Sequence, residues 1–192
     1  MVEVSIDTDP IKLQNCRMVV RLIIFAIGTL GIILISLHSA GKLRSYGFLR
    51  FFAFESVLAL ILYNAEHWFQ NPFSVLQVIS WLLIIASVVV VSSGFYMLRR
   101  FGRPKDVIDD TAVLVISGIY EYIRHPLYSS LMLLAWGAFL KDISLVSFVL
   151  VLVASGLPVT MAKVEEKENI RKFGDDYSEY IKITKMFIPF II

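Results

Sequence analysis

Charge and cysteine are both scarce in this chain. Only 18% of its 192 residues are charged, whereas 57% are hydrophobic, and the mean hydropathy is +0.74. Soluble domains of this size usually carry more charge, so the composition predicts an integral membrane protein with a single domain, residues 1–192. Cys16 is the only cysteine, which excludes an intrachain disulfide. The chain also lacks a basic tract, so we expect no nucleic-acid partner.

The sequence shows no internal repeat, and we expect neither a signal peptide nor a metal site. Residues 1–10 are polar and acidic, without the positive start and small-residue cleavage site of a signal peptide. We therefore expect the first membrane helix to direct insertion. Glu66 and His67 are adjacent, but two ligands are too few for a metal centre, and we predict no metal site.

Long apolar runs divide the chain into membrane helices. A helix needs about 20 mostly apolar residues to cross a bilayer. The fourth run has only 15 residues, about 22 Å of helix, and is short enough to end before crossing fully. We predict an all-α membrane bundle of about five transmembrane helices, formed by residues 22–37, 48–69, 72–98, 126–140 and 143–162.

The chain divides into two halves within this single domain. Residues 1–100 hold the first three helices, and residues 101–192 hold the last two together with a C-terminal helical segment. We expect the fifth helix to extend into water over residues 165–173. Gly174 is the predicted C-cap of that extension, and Asp175 is the predicted N-cap of the helix that follows.

Lysine and arginine mark the cytoplasmic side of a membrane protein. They are concentrated in residues 42–50, in residues 99–105 and after residue 162, whereas the tip of the last hairpin carries only Lys141. This distribution predicts that the N-terminus lies outside. It also predicts that the start of the fourth apolar run and the C-terminal helical segment face the cytoplasm at the cell membrane.

The densest polar and aromatic cluster lies where the chain enters the fourth apolar run, and residues 118–128 read GIYEYIRHPLY. Tyrosine, arginine and proline are typical of a membrane boundary, where helices begin. However, His125 stands beside Arg124 at a helix N-terminus, where free N–H groups suit an anion. A carboxylate pair, residues 165–166, follows after the next apolar hairpin. We expect the two clusters to face each other and enclose a small molecule.

These two clusters resemble the signature of the isoprenylcysteine carboxyl methyltransferase family. Residues 117–120 read SGIY and residues 124–128 read RHPLY. The tail agrees, with EE at 165–166, FGDDYSEY at 173–180 and IPF at 188–190. The resemblance covers residues 114–192, and the short chain is similar to prokaryotic members. It implies a membrane methyltransferase with S-adenosylmethionine as methyl donor and a lipophilic, prenylcysteine-like acceptor taken from among the membrane lipids.

The resemblance also assigns residues by position. A carboxylate suits ribose hydroxyls or the methionine ammonium, and aromatic or apolar side chains suit adenine. Lys105 or Arg124 can pair with the methionine carboxylate. Arg124 and Glu166 are the candidates for a catalytic role. The predicted cofactor-binding residues are Ala112, Val113, Leu114, Val115, Tyr120, His125, Pro126, Leu127, Tyr128 and Glu165.

The acceptor is the least determined part of this prediction. A carboxylate acceptor is ionised at pH 7, because its ordinary pKa is about 4, and it needs no general base. An amine must lose a proton, to Glu166 or His125. Family members from eukaryotes carry an arginine for the acceptor carboxylate four residues before the acidic cofactor ligand, where this chain has Met161. Glu55, inside an apolar run, either pairs with a nearby arginine (Arg44 or Arg50) or faces a substrate channel.

Three other functions remain open on the sequence. The first is N-methylation of a lipid or small amine with the same cofactor. The second is an NADPH-dependent reductase of the sterol type, whose members read Arg-His-Pro-Asn-Tyr with a glutamate soon after. Here Leu127 replaces that asparagine, and residues 129–131 read SSL. The third is a transporter or scaffold without nucleoside binding. The sequence leaves the oligomeric state open.

Overall fold

The computed structural model describes residues 10–38, 44–102 and 111–189. Within these ranges the chain is all-helical, as predicted, apart from irregular connections and an isolated parallel bridge between Ile123 and Lys185. Short 3-10 turns form at Ala65–His67 and Gly118–Glu121. The α-helices of this described part are α1 Pro10–His38, α2 Arg44–Tyr63, α3 Val75–Phe101, α4 Pro126–Phe139, α5 Leu145–Phe173 and α6 Asp175–Ile183.

Three helices in the described ranges are long and apolar enough to cross a membrane: Ile11–Leu34, Val75–Phe101 and Leu145–Phe173. The other two apolar helices are shorter. α2 has 20 residues and includes Arg50 and Glu55, and α4 has 14 residues. The fold is that of a membrane helical bundle, and the total of five crossings stays a prediction.

Helix boundaries differ from the prediction mainly in the N-terminal half. α1 begins at Pro10, well before residue 22, and proline suits the first turn of a helix. α2 ends at Tyr63 instead of residue 69, because the next residue, Asn64, is fully buried and its side chain bonds to other helices. Glu66 lies in the 3-10 turn that follows and forms an ion pair with Arg21 of α1 at 2.6 Å.

The core of the bundle lies where α2, α4 and α5 meet. Its alanines are fully buried, and small residues let membrane helices approach closely. α4 also packs tightly on α3, where a Cβ added to Gly137 would lie 2.7 Å from Cγ1 of Ile84. The buried residues of this core are Val57, Leu60, Ala135, Ala138, Phe139, Val151 and Ala154.

Polar side chains from α3 and from the residue that follows α2 cap the C-terminal end of the short helix α4. The amide of Asn64 donates to the carbonyl of Ala138 at 2.8 Å, and the hydroxyl of Ser80 donates to the carbonyl of Gly137 at 2.7 Å. Asn64 and Ser80 are both fully buried. Backbone groups in a bilayer must be satisfied within the protein, so these bonds allow a 14-residue helix to end inside the bundle.

Lys141 lies at the tip of the hairpin between α4 and α5, as predicted, but its side chain is buried. The ammonium lies 3.8 Å from the ring centroid of Trp81 and donates to Oε1 of Gln77 at 3.0 Å. Burial lowers the pKa of Lys141 below its ordinary value. The tryptophan ring and the amide replace part of the hydration that this ammonium loses.

α5 continues without a break to Phe173, as predicted for residues 165–173. Gly174 follows with φ +61°, a conformation that favours glycine, and its N–H donates to the carbonyl of Ile170 at 2.9 Å. The predicted C-cap is therefore confirmed. The predicted N-cap at Asp175 is wrong by one residue, because Gly174 occupies both positions and Asp175 is already helical.

Candidate active site

The ends of α3, α4 and α5 meet at one end of the bundle and enclose a cleft with α6. Its empty volume is about 610 Å³, including the part that is open to solvent. Its lining comprises Leu98, Thr111, Leu114, Val115, Tyr120, Arg124, His125, Pro126, Leu127, Tyr128, Glu165, Asn169, Phe173, Tyr177 and Tyr180.

One wall of the cleft is apolar. Leu98, Val115 and Tyr120 form a buried cluster there, and Met97 and Leu127 pack against it. The chain reaches this wall through Gly118, which has φ +63°; a Cβ on that residue would lie 2.5 Å from Cε of Met97. A glycine is therefore needed both for the backbone conformation and for the close approach to α3.

His125 occupies the entrance to α4. It is the N-cap residue, Pro126 follows in the first turn, and only 4% of the His125 side chain is exposed. The imidazole stacks on Tyr128 with ring centroids 5.6 Å apart and an interplanar angle of 18°. Its Nδ1 lies 3.8 Å from Oε2 of Glu165, and its Nε2 lies 3.5 Å from Oε1 of Glu166. The two predicted clusters therefore face each other across the helix hairpin.

Glu165 presents a carboxylate to the cleft. The hydroxyl of Tyr128 donates to its Oε2 at 2.9 Å, and 31% of the glutamate side chain is exposed. Asn169 and Phe173 follow at intervals of four residues on α5 and also line the cleft. Residues four apart lie on one face of a helix. The face of α5 that lines the cavity therefore carries two polar side chains followed by an aromatic one.

Arg124 and Glu166, the two predicted catalytic candidates, are paired with each other. Arg124 Nε donates to Oε1 of Glu166 at 2.6 Å, and the two side chains are only 8% and 14% exposed. The same guanidinium donates to the carbonyls of Ile181 and Thr184 at the end of α6. The two residues thus form a buried link that joins the segment before α4 to α5 and α6. A catalytic role for either residue stays a prediction.

Tyr177 and Tyr180 bring α6 against the cleft. The hydroxyl of Tyr180 donates to the carbonyl of Tyr120 at 2.6 Å. Burial, together with the negative charges of Glu166 and Glu165, raises the pKa of Tyr177 to about 12. Its phenol is therefore protonated at physiological pH. Neither tyrosine was predicted from the sequence to line the site.

Most of the predicted cofactor residues line the cleft, and two do not. Ala112 and Val113 are exposed, and their backbone N–H groups both donate to the carbonyl of Gly102, at 2.9 and 3.3 Å. Lys105 lies outside the described residues. The lining residues that were not predicted as cofactor contacts are Leu98, Thr111, Asn169, Phe173, Tyr177 and Tyr180.

The two predicted substrate positions, Met161 and Glu55, lie outside the lining of the cleft. Met161 is 2% exposed and belongs to the interior of the bundle. Oε1 of Glu55 accepts a hydrogen bond from the hydroxyl of Thr29 in α1 at 2.6 Å, a polar link between α1 and α2.

Comparison with known proteins shows the family to which this chain belongs. Residues 75–176, just over half of the chain, match the phospholipid methyltransferase family. The chain is also 24% identical over 178 residues to protein-S-isoprenylcysteine O-methyltransferase B of Arabidopsis thaliana, a similarity that covers 83% of this chain and 85% of that protein. No solved structure matches. The matched residues include both clusters of the cleft, and the chain belongs to the phospholipid methyltransferase family of membrane methyltransferases.

Proposed function

We propose that this protein is an integral membrane methyltransferase that uses S-adenosylmethionine and acts on a lipophilic acceptor. The observation that carries the proposal is the Tyr128–Glu165 pair, 2.9 Å apart, in a cleft with one apolar wall at the end of three apolar helices. Small polar groups that converge in a mainly apolar cavity are the usual form of a cofactor site.

The residues present fit this cofactor. The carboxylate of Glu165 suits ribose hydroxyls or an ammonium group, and the apolar wall at Leu98 and Val115 suits adenine. The first turn of α4 lines the cleft at Pro126 and Leu127, and the N–H of Leu127, at a helix N-terminus, suits a carboxylate. When bound, S-adenosylmethionine supplies an electrophilic methyl group on a sulfonium.

The protein's task in such a reaction is alignment. The first acceptor that we propose is the carboxylate of a prenylcysteine-like lipid, supported by the similarity to the Arabidopsis enzyme. A carboxylate is ionised at pH 7 and needs no general base. The cleft residues then contribute by holding the acceptor in line and by excluding water.

A lipid amine is the second candidate acceptor, and the charge of the cleft favours it. Arg124, the arginine that lines the cleft, is paired with Glu166 and with carbonyls of α6. Glu165 adds a second carboxylate. An amine must lose a proton before it attacks. Of the two candidates to accept it, His125 lines the cleft, whereas Glu166 does not and is paired with Arg124.

Methyl transfer to matched acceptors separates these two candidates. We expect the purified protein in lipid vesicles to transfer labelled methyl from S-adenosylmethionine to an S-farnesylcysteine at a rate at least tenfold above the rate for phosphatidylethanolamine. The reverse preference would assign the amine reaction. Glu165→Gln serves as the inactive control. Failure with both acceptors, together with consumption of NADPH, would contradict the proposed function.

We place the cleft on the cytoplasmic side of the cell membrane. Exposed basic residues surround its end of the bundle, at Arg99 and Arg100 on α3 and at Lys163 and Lys167 on α5. At the opposite end, Lys141 is buried and Arg21 is paired with Glu66. Basic residues are enriched on the cytoplasmic side of membrane proteins.

Cysteine labelling tests this orientation. In a Cys16→Ser background, Glu179→Cys adds an exposed thiol on α6 near the cleft, and Gln70→Cys adds one at the opposite end. We expect a membrane-impermeant maleimide to label Gln70→Cys in intact cells and Glu179→Cys only after permeabilisation. Labelling of Glu179→Cys in intact cells would contradict the cytoplasmic placement.

A further inference from the structure

The chain after α6 forms a short strap, residues 184–187, that pairs with the segment leading into α4. The N–H of Lys185 donates to the carbonyl of Tyr122 at 3.2 Å. In return, the N–H of Arg124 donates to the carbonyl of Lys185 at 2.8 Å, and the N–H of His125 donates to the carbonyl of Met186 at 3.1 Å. The strap thus fixes the backbone at the two residues that precede Pro126.

Side chains reinforce the same contact. The hydroxyl of Ser129, in the first turn of α4, donates to the carbonyl of Phe187 at 2.8 Å. The ring centroids of Phe187 and His125 lie 6.1 Å apart, and Phe187 is only 6% exposed. The imidazole of His125 therefore contacts two rings, those of Tyr128 and Phe187.

None of the strap residues is among those that line the cleft in the described part of the chain. Their contacts reach the site only through other residues, chiefly Arg124 and His125. The segment that they hold, residues 111–125, is irregular apart from the turn at Gly118–Glu121. Ordering an irregular segment costs conformational entropy, and a site that is ordered in advance avoids that cost when a ligand binds.

We infer that the strap is a positioning element of the cofactor site, with Phe187 as the residue that fixes the His125 imidazole. The inference rests on the proposed function, since the ligand whose affinity it sets is S-adenosylmethionine. Phe187 acts through His125 and is not itself a catalytic residue.

Calorimetric titration of the purified protein with S-adenosylhomocysteine tests the inference. We expect Phe187→Ala to raise the Kd at least fivefold and Phe187→Leu, which keeps an apolar side chain against the imidazole, to remain within twofold of the unchanged protein. The matched control is Ile188→Ala. Ile188 is the next residue of the tail and is 48% exposed, so we expect no change in Kd.

The outcomes separate the two proposals. The positioning role would be overturned if S-adenosylhomocysteine binds tightly to the unchanged protein and binds folded Phe187→Ala with the same Kd. The proposed function would then still stand. Absence of binding to the unchanged protein would overturn both. If Phe187→Ala does not fold, Ser129→Ala decides, because it removes the donor that serves the carbonyls of both Phe187 and His125 while changing only a small side chain. A raised Kd for that variant supports the strap, and an unchanged Kd overturns it.

Discussion

Replacing Glu165 with glutamine is expected to weaken the binding of S-adenosylhomocysteine by at least tenfold. The carboxylate is the acidic group of the cleft that is both partly exposed and aligned by Tyr128. Hydrogen bonds to an ionised acceptor are about twice as strong as those to a neutral one. Loss of the charge therefore removes a large part of the binding free energy that this side chain contributes. Calorimetric titration gives the Kd directly.

Two further variants make this result interpretable. Tyr128→Ala removes both the hydroxyl that orients Glu165 and the ring that stacks on His125, and we also expect at least a tenfold loss. Glu179→Gln is the matched control, because Glu179 is an exposed glutamate on α6 that pairs with Lys182 at the surface. Unchanged affinity in both Glu165→Gln and Tyr128→Ala would count against the cleft as the cofactor site.

Replacing Arg124 with methionine is expected to cause a large loss of stability. The substitution leaves Glu166 buried without its ion-pair partner and removes hydrogen bonds to the carbonyls of Ile181 and Thr184. Breaking one partner of a buried pair typically costs about 3–5 kcal/mol. The midpoint of thermal unfolding in detergent, measured on purified protein, checks this expectation.

A double substitution separates the lost pair from the lost side chain. Arg124→Met combined with Glu166→Leu removes both charges, so we expect it to be more stable than Arg124→Met alone. Lys182→Met breaks an exposed ion pair and should change stability by no more than about 0.5 kcal/mol. A stability of Arg124→Met equal to that of Lys182→Met would contradict the structural role of the buried pair.

The sequence predicted the C-terminal half of the fold well because its signals are local. Pro126 begins α4, and the apolar run at residues 126–140 matches that helix to within one residue. Gly174 ends α5, which spans both the run at residues 143–162 and its predicted extension over residues 165–173. The meeting of residues 118–128 with Glu165 was also predictable, since a short hairpin brings its two ends together. The family match, at residues 75–176, includes residues 118–128 and Glu165.

What the sequence could not show are contacts made over long distances along the chain. Arg124 was predicted to be available to a ligand, but its partner Glu166 lies 42 residues away. Asn64 ends α2 because its side chain reaches the carbonyl of Ala138, 74 residues further on. No local propensity encodes such partners. The pairing of Lys185 with Ile123 is missed for the same reason.

The most direct test of the central claim is a titration of the unchanged, purified protein with S-adenosylhomocysteine and, separately, with NADPH. The cleft formed by Tyr128, His125 and Glu165 predicts saturable binding of the nucleoside at a single site, and no binding of NADPH. Saturable binding of NADPH with no binding of S-adenosylhomocysteine would contradict the account.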